Sequence, residues 1–479
     1  MENKKSILLA GLAVLFVLII YIWFISLGTW RSRGYTSDYY SRLTSAFLHG
    51  QLFLEQEPDP ALLALPNPYD HKARKKVPVL GDASLYKGKY YLYFGAFPSL
   101  GLAIPASLLP LNPGDQIFVY VFIAGLFLLQ CLLFREILQQ FFTDMPGWIL
   151  PLGILFLGLT GPYMRMLAHP FIHEAAIAGG QLLFAAGFYA AFLALRSNPV
   201  HKGKLLLAGL LWSFSIATRS TQLVPIAFMT ALTCLYLFHR CRRMYSMRTL
   251  VRLTAALITP LAVCAAILAW YNWARFESIF EFGLYYQLAA FNLQANYSIL
   301  FSRVYLVQNI YNYFLNPFGL AGSFPFVQPL AGTEQPVLAS ISLPNLYAVE
   351  GKFPGALIST PFLFFAALPP LVYLISLPKK LRARENNVDP FTFFDWTSLG
   401  LFGASVAGAL PTLVYFYVGF RFETEFIASL ILLALIGFCQ RYLLVRNNVA
   451  RKVYAGFGIL LILFSVLINM ALAYTGIWA

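Results

Sequence analysis

Asp38, Arg42, Ser45 and His49 recur at the spacing of an α-helix, so a carboxylate, a cation and an imidazole share one face. Tyr40, Leu43 and Phe47 fall on the opposite face, which gives the stretch from Thr36 to Gly50 the pattern of a helix lying along a membrane surface. Thr36 and Ser37 can cap its start, and Gly50 can end it. On such a helix Asp38 can serve as a general base at the bilayer surface, or as a first-turn acid that pairs with Arg42 four residues on. Spacing alone favours the ion pair.

Other uncommon polar residues stand at the ends of apolar runs: His169-Pro170-Phe171-Ile172-His173-Glu174, Arg219 in Thr218-Arg219-Ser220-Thr221, Arg275 with Glu277 and Glu281, Glu350-Gly351-Lys352, and Arg421-Phe422-Glu423-Thr424-Glu425. Charged groups at membrane depth are costly and tend to line a cavity or a substrate path. Each group also has a plainer reading. His173 and Glu174 can cap a helix, Arg219 can snorkel from a tight turn, and Arg421 with Glu425 can form a surface ion pair. Lys72, Arg74, Lys75 and Lys76 form a compact basic group, either a solvated run or an anion site. An arginine fork matches phosphate oxygens.

The elements that must position these residues follow from composition. Of 479 residues, 59% are hydrophobic and 11% charged, against roughly 25% charged in a soluble domain. The runs are long enough to cross a hydrocarbon core as helices, so the fold class is an all-α polytopic membrane protein. The net charge of +14 does not point to nucleic acid, because nineteen of the 34 Lys and Arg residues lie in short segments that all fit one side. Those segments are Lys4 and Lys5, Arg135, Arg196 to Lys204, Arg240 to Arg252, Lys379 to Arg384, and Arg441 to Lys452. They orient the chain and can also attract anionic lipid.

Taken in order, residues 1–479 form one membrane domain. Residues 6–28 read as a retained anchor with a cytoplasmic N-terminus. A first exterior loop, 29–93, holds the amphipathic helix and a hairpin turning at Lys87-Gly88. The run 94–111 contains Pro98, Pro105 and Pro110 and is expected to be a broken re-entrant or surface helix. Spans then follow near 116–141, 147–164, 173–196, 203–220, 221–239, 249–271, 356–376, 395–419, 422–440 and 453–475, for about eleven crossings within a range of ten to thirteen. A second exterior segment, 272–355, is rich in Tyr, Phe and Asn and is expected to cover a cleft rather than to form a soluble domain.

Soluble-enzyme motifs are missing: no Walker loop, no dinucleotide fingerprint, no HExxH and no GxSxG. No motif supports a bound divalent cation, and the cofactor is unassigned. Cys131, Cys234, Cys241, Cys264 and Cys439 have neither metal-like spacing nor a disulfide framework.

The first span leading into Ser37-Asp38-Tyr39-Tyr40, the Gly88-Lys89-Tyr90-Tyr91 segment before a proline-rich run, Glu174 opening a helix, and the Arg219 turn together resemble the GT-C superfamily. These are multi-span glycosyltransferases that use polyprenyl-phosphate-linked sugars. Asn272-Trp273-Ala274-Arg275-Phe276, with Phe280-Glu281-Phe282-Gly283 and Tyr286-Gln287-Leu288, is similar to a segment of bacterial members.

The resemblance implies an enzyme of a bacterial inner membrane with an exterior active site. In the family an acid of the first exterior loop acts as base or helps to hold a metal, which nominates Asp38 as the catalytic base and reverses the preference from spacing. Asp38 lacks the second adjacent acid of some members, so no metal is assigned. Arg421 and Arg219 are the implied phosphate binders, with His173, Glu174, Arg42, Lys75, Lys76 and Glu425 as further substrate-binding candidates. The implied partners are a lipid-linked sugar donor, a glycan, lipid or protein acceptor, and membrane lipids. Two other readings fit the bulk features: a polysaccharide polymerase or ligase using undecaprenyl-diphosphate-linked glycans, and a lipid-linked sugar flippase or transporter without chemistry. A transporter more often shows related halves and helices broken at the midplane.

Overall fold

The computed structural model describes residues 4–109, 111–240, 242, 244–383 and 391–478. Cys241, Pro110 and Arg384 lie outside the described residues. The chain opens with α1 (Lys4–Ile25), the surface helix α2 (Tyr39–Leu48), a single turn α3 (Pro60–Leu63) and a hairpin of β1 (Ala83–Tyr86) and β2 (Lys89–Leu92). Then come α4 (Phe97–Leu108), α5 (Asp115–Phe141), α6 (Ile149–Leu159), α7 (Tyr163–Ala168), α8 (Ile172–Arg196), α9 (Lys202–Thr218), α10 (Leu223–Arg240) and α11 (Met247–Phe276). An irregular segment follows with α12 (Leu306–Ile310), β3 (Phe318–Leu320), β4 (Val327–Pro329), β5 (Ala348–Glu350) and α13 (Ala356–Ser359). The chain closes with α14 (Leu368–Ala383), α15 (Phe393–Leu413), β6 (Tyr417–Gly419), α16 (Thr424–Leu444) and α17 (Asn448–Trp478).

Among the described residues, eight helices are long and apolar enough to cross a membrane, so the protein is a multi-pass membrane protein. The other three expected spans fall on α6, α9 and α15. α6 has 11 residues, which is only about 16 Å of helix, and the chain turns at Gly161 before α7. α9 has 17 residues. α15 has 21, with Asp395, Thr397, Ser398 and Ser405 buried within it, so its polar content sets it apart. α4 has 12 residues, about 18 Å, too short to cross. It exposes Leu100, Ile104 and Leu108 on one stripe while Ser99 and Phe97 pack inward against Thr44 and Phe214.

The helix ends sort into two sets. At one, Ser6 bonds the Gly147 carbonyl, Arg196 pairs with Glu136, and the Val200 amide donates to the Tyr245 hydroxyl. The basic turns gather there. At the other lie α2, the hairpin and the segment after α11. Lys87 and Gly88 both take positive φ (48° and 71°), the pair of left-handed residues that a two-residue hairpin turn needs. Residues 286–288 run on beside β1 through Leu85 N to Tyr286 O and Leu288 N to Ala83 O, both 2.9 Å. β5 pairs in parallel with β6, setting Glu350 opposite Gly419.

Candidate active site

α2 starts later than its sequence pattern suggested, because the polar residues before it are used elsewhere. The Thr36 hydroxyl donates to the Pro170 carbonyl (2.6 Å), and the Ser37 hydroxyl donates to Asp115 (2.6 Å). Asp115, at the first turn of α5, accepts the Tyr39 and Tyr40 amides. Asp38 stands at the N-cap position but makes no cap bond. Its carboxylate is a quarter exposed and accepts from Arg42 Nε at 2.6 Å. Tyr40 and Leu43 are fully buried beneath it. The next residue, Tyr39, donates its hydroxyl to the Gly81 carbonyl.

Gly81 and Phe171 belong to the wall of a cavity of about 620 Å³ at the end of the bundle away from the basic turns. The cavity collects Arg219, Arg421, His173 and Glu174 from the sequence candidates, together with Glu350 and Arg74. Asp38, Arg42, Lys75, Lys76 and Glu425 are not on its wall, and Lys75 and Lys76 are exposed.

Arg421 is nearly buried, forms an ion pair with Glu350 and lies 3.8 Å from Glu174 Oε1. Gly419 makes this approach feasible, because a Cβ there would sit 2.8 Å from the Glu350 carboxylate. Glu174 serves twice: its Oε2 accepts the Phe171 amide at the start of α8, while Oε1 faces Arg421. Arg219 donates Nε to Glu425 at 2.8 Å, and Thr221 (3.0 Å) and Gln222 (2.6 Å) complete that carboxylate's shell. Glu425 thus holds Arg219 in place from behind the wall.

Sequence reasoning missed Asp82, which no helical spacing or motif marks. It takes a left-handed φ of 59°, uncommon for a residue other than glycine. Its Oδ2 lies 3.4 Å from His173 Nε2, and its Oδ1 accepts from Gln287 Nε2 at 3.3 Å. Desolvation on the wall pushes the Asp82 carboxyl up, but the hydrogen bond and charge of His173, with Arg421 and Arg74 beyond, outweigh it and hold the carboxyl below its ordinary value. Phe94 meets the His173 ring edge-on at 5.0 Å. Arg165 was also missed, although a lone arginine inside an apolar run is itself a signal.

Among the described residues, no group of three or more His, Cys, Asp or Glu side chains is placed to hold a metal ion. The partner of Asp38 is a cation. This donor set does not fit a metal at Asp38. Cys131, Cys234, Cys264 and Cys439 are free thiols.

The fold is similar to that of an archaeal oligosaccharyltransferase of known structure. It superposes on the oligosaccharyltransferase of Archaeoglobus fulgidus tethered to an acceptor peptide, with a TM-score of 0.52 at 12% identity, covering 97% of this chain and 55% of that one. The same enzyme in its apo form gives 0.48 at 13% identity (98% and 55% covered), and its complex with an inhibitory peptide and a dolichol-phosphate gives 0.49 at 12% (98% and 56%). The chain therefore spans just over half the length of the chain it superposes on. No protein-family model matches the sequence, and no curated protein matches it.

Proposed function

We propose that the protein is a membrane glycosyltransferase that moves a sugar from a polyprenyl-phosphate donor to an acceptor hydroxyl on the exterior side of a bacterial inner membrane. The observation that carries this reading is the cavity of about 620 Å³, whose wall combines four arginines with Asp82, Glu174 and Glu350 in a multi-pass GT-C fold. The positive-inside rule supports an exterior cavity and a cytoplasmic N-terminus, since the basic turns gather at the other end.

In the reaction, the acceptor oxygen attacks the anomeric carbon as its proton passes to a carboxylate. The bond from that carbon to the phosphate oxygen breaks, and the phosphate leaves with the electron pair. Arg219 and Arg421, held by Glu425 and by Glu350 with Glu174, present fixed positive charge to the leaving phosphate. Asp38 is the proposed base. Asp115 has relieved it of capping, and its flanking residues Thr36 and Tyr39 are tied to the Pro170 and Gly81 carbonyls beside the cavity. A base needs reach of about 3 Å to the proton it takes, a distance that often closes only with substrate bound.

The test is transfer by purified protein in nanodiscs, offered a panel of polyprenyl-phosphate sugars with an envelope extract as acceptor. Wild type should form product and Asp38→Asn should lose nearly all of it. A folded Asp38→Asn protein with full activity would overturn the base assignment, and absence of product from wild type across the panel would overturn the donor class.

A further inference from the structure

β5 and β6 form a parallel pair of three residues each, with Ala348 opposite Tyr417, Val349 opposite Val418 and Glu350 opposite Gly419. That register brings Glu350 to Arg421, the ion pair that fixes the guanidinium on the cavity wall. A two-stranded pair this short is not stable by itself, and parallel pairing is weaker than antiparallel. A slip by one residue would send every side chain of the strand to the opposite face. The register must therefore be held from outside the strands.

The chain runs from α12 into a π-type turn, Tyr311–Leu315, a widened geometry frequent at functional positions. Asn309 and Asn312 are fully buried here, and Tyr347, the residue before β5, is buried as well. Asn309 Nδ2 donates toward the Thr412, Leu413 and Tyr415 carbonyls at 3.2, 3.0 and 2.8 Å, where α15 gives way to β6. Its Oδ1 accepts the Tyr347 hydroxyl at 2.9 Å. Asn312 donates to the Tyr347 oxygen (2.9 Å) and the Thr333 carbonyl (3.0 Å), and it accepts the Thr333 amide (2.9 Å). One side chain, Asn309, thus ties the entry of β6 to the entry of β5. The Tyr347 ring stacks on Tyr305 with centroids 5.7 Å apart, so its place does not depend on its hydroxyl. Gly332 leaves no slack: a Cβ there would come 2.5 Å from Val349 Cγ1 and 3.1 Å from Asn312 Oδ1.

We propose that Asn309 and Tyr347 are positioning residues for Arg421: their hydrogen bond sets the register of β5 on β6 and so seats Glu350 against the guanidinium. Burying an amide and a phenol is costly unless each polar atom is bonded, and here the bonds run to the two strand entries rather than within one element. The register, once set, leaves Arg421 no other place to lie than the cavity wall. The task of Arg421 toward a leaving phosphate rests on the transferase reading, whereas the seating of its side chain does not.

The test reads Arg421 directly. Full-length protein in nanodiscs is treated with phenylglyoxal, which modifies accessible guanidinium groups, and each arginine is followed by mass spectrometry in wild type, Tyr347→Phe and Asn309→Asp. Tyr347→Phe removes one oxygen and keeps the stack on Tyr305. Asn309→Asp keeps the acceptor for Tyr347 and loses the donor to the three carbonyls. Glu350→Gln, which removes the ion pair itself, gives the upper bound. The net loss of a hydrogen bond predicts that Arg421 is modified about two- to tenfold faster in both positioning variants. Arg275, buried at the end of α11, should keep its wild-type rate. Equal acceleration at Arg275 and Arg421 overturns positioning in favour of general loosening. An unchanged rate at Arg421 in Tyr347→Phe overturns it outright, and that variant decides the matter if Asn309→Asp does not fold. In transfer, both variants should lower kcat by a similar factor with acceptor KM unchanged, and a raised KM at wild-type kcat overturns the link to Arg421. Faster labelling at Arg421 alone, with no transfer from wild type, supports the positioning and overturns the transferase reading.

Discussion

Asp115 accepts the first two amides of α2: its Oδ2 lies 3.0 Å from Tyr39 N and its Oδ1 3.3 Å from Tyr40 N. Asp38, at the N-cap position, turns its carboxylate to Arg42 instead. Under the proposed reaction, Asp115 holds the start of α2 and Asp38 is the base. Asp115→Ala should cost about 1–2 kcal/mol, the range for a lost N-cap, while Asp38→Asn keeps the same melting temperature. Thermal unfolding in detergent checks both. Asp38→Asn should nonetheless slow transfer by roughly 10²–10⁴, the usual contribution of a general base. A drop in melting temperature for Asp38→Asn as large as that for Asp115→Ala would mean that Asp38 has a structural task after all.

Arg219 and Glu425 form a buried pair, with side chains 12% and 1% exposed. Removing one partner leaves the other charge without compensation, so Glu425→Ala should lose roughly 3–5 kcal/mol. Replacing both with apolar residues, as in Arg219→Met with Glu425→Leu, should restore most of that stability. Denaturant unfolding of the two proteins measures the difference. If the single and double variants are equally unstable, the pair is not what holds this turn.

How much of this was legible in the sequence depends on the range over which each signal acts. The apolar runs and one-sided basic turns reveal the fold class because the membrane imposes a local rule on every span. The left-handed pair Lys87-Gly88 is likewise a two-residue signal. Glu350 and Arg421 meet only because β5 pairs with β6, and Asp82 meets Gln287 only because residues 286–288 run beside β1. No periodicity carries such long-range pairings. The sequence suggested a local ion pair within Arg421 to Glu425, whereas Arg421 faces Glu350 and Glu174, and Glu425 answers Arg219. Arg165, a lone arginine within an apolar run, was overlooked although it lines the same cavity.

Gly95 joins the cavity residue Phe94 to α4 and lies against the end of α9. A Cβ on it would come 2.5 Å from the Thr218 carbonyl oxygen and 2.6 Å from its carbon, backbone atoms that have no rotamer to yield. Gly95→Ala should therefore cost about 1–3 kcal/mol through overpacking, and it should displace Arg219, the residue after Thr218. Lower melting temperature together with weaker donor affinity is the expected result. A variant of unchanged stability would show that α4 rides freely on α9.

Asp82 provides a pH signature. His173, Arg421 and Arg74 hold its carboxyl below the ordinary value against the upward push of desolvation. Such a group binds its proton less readily in the folded state than in the unfolded chain. Its stabilising contribution is complete above the unfolded value, about 3.9, and is lost as pH falls through the lower folded one. Wild type should therefore melt above Asp82→Asn from neutral pH down to about pH 4, and the gap should close only below that. With its side chain 38% exposed, the gap should be modest in size. Melting curves of both proteins at half-unit pH steps decide it. A gap already closed at pH 5 would mean that Asp82 takes up its proton above the ordinary carboxylate range, and that His173 and the two arginines do not govern it.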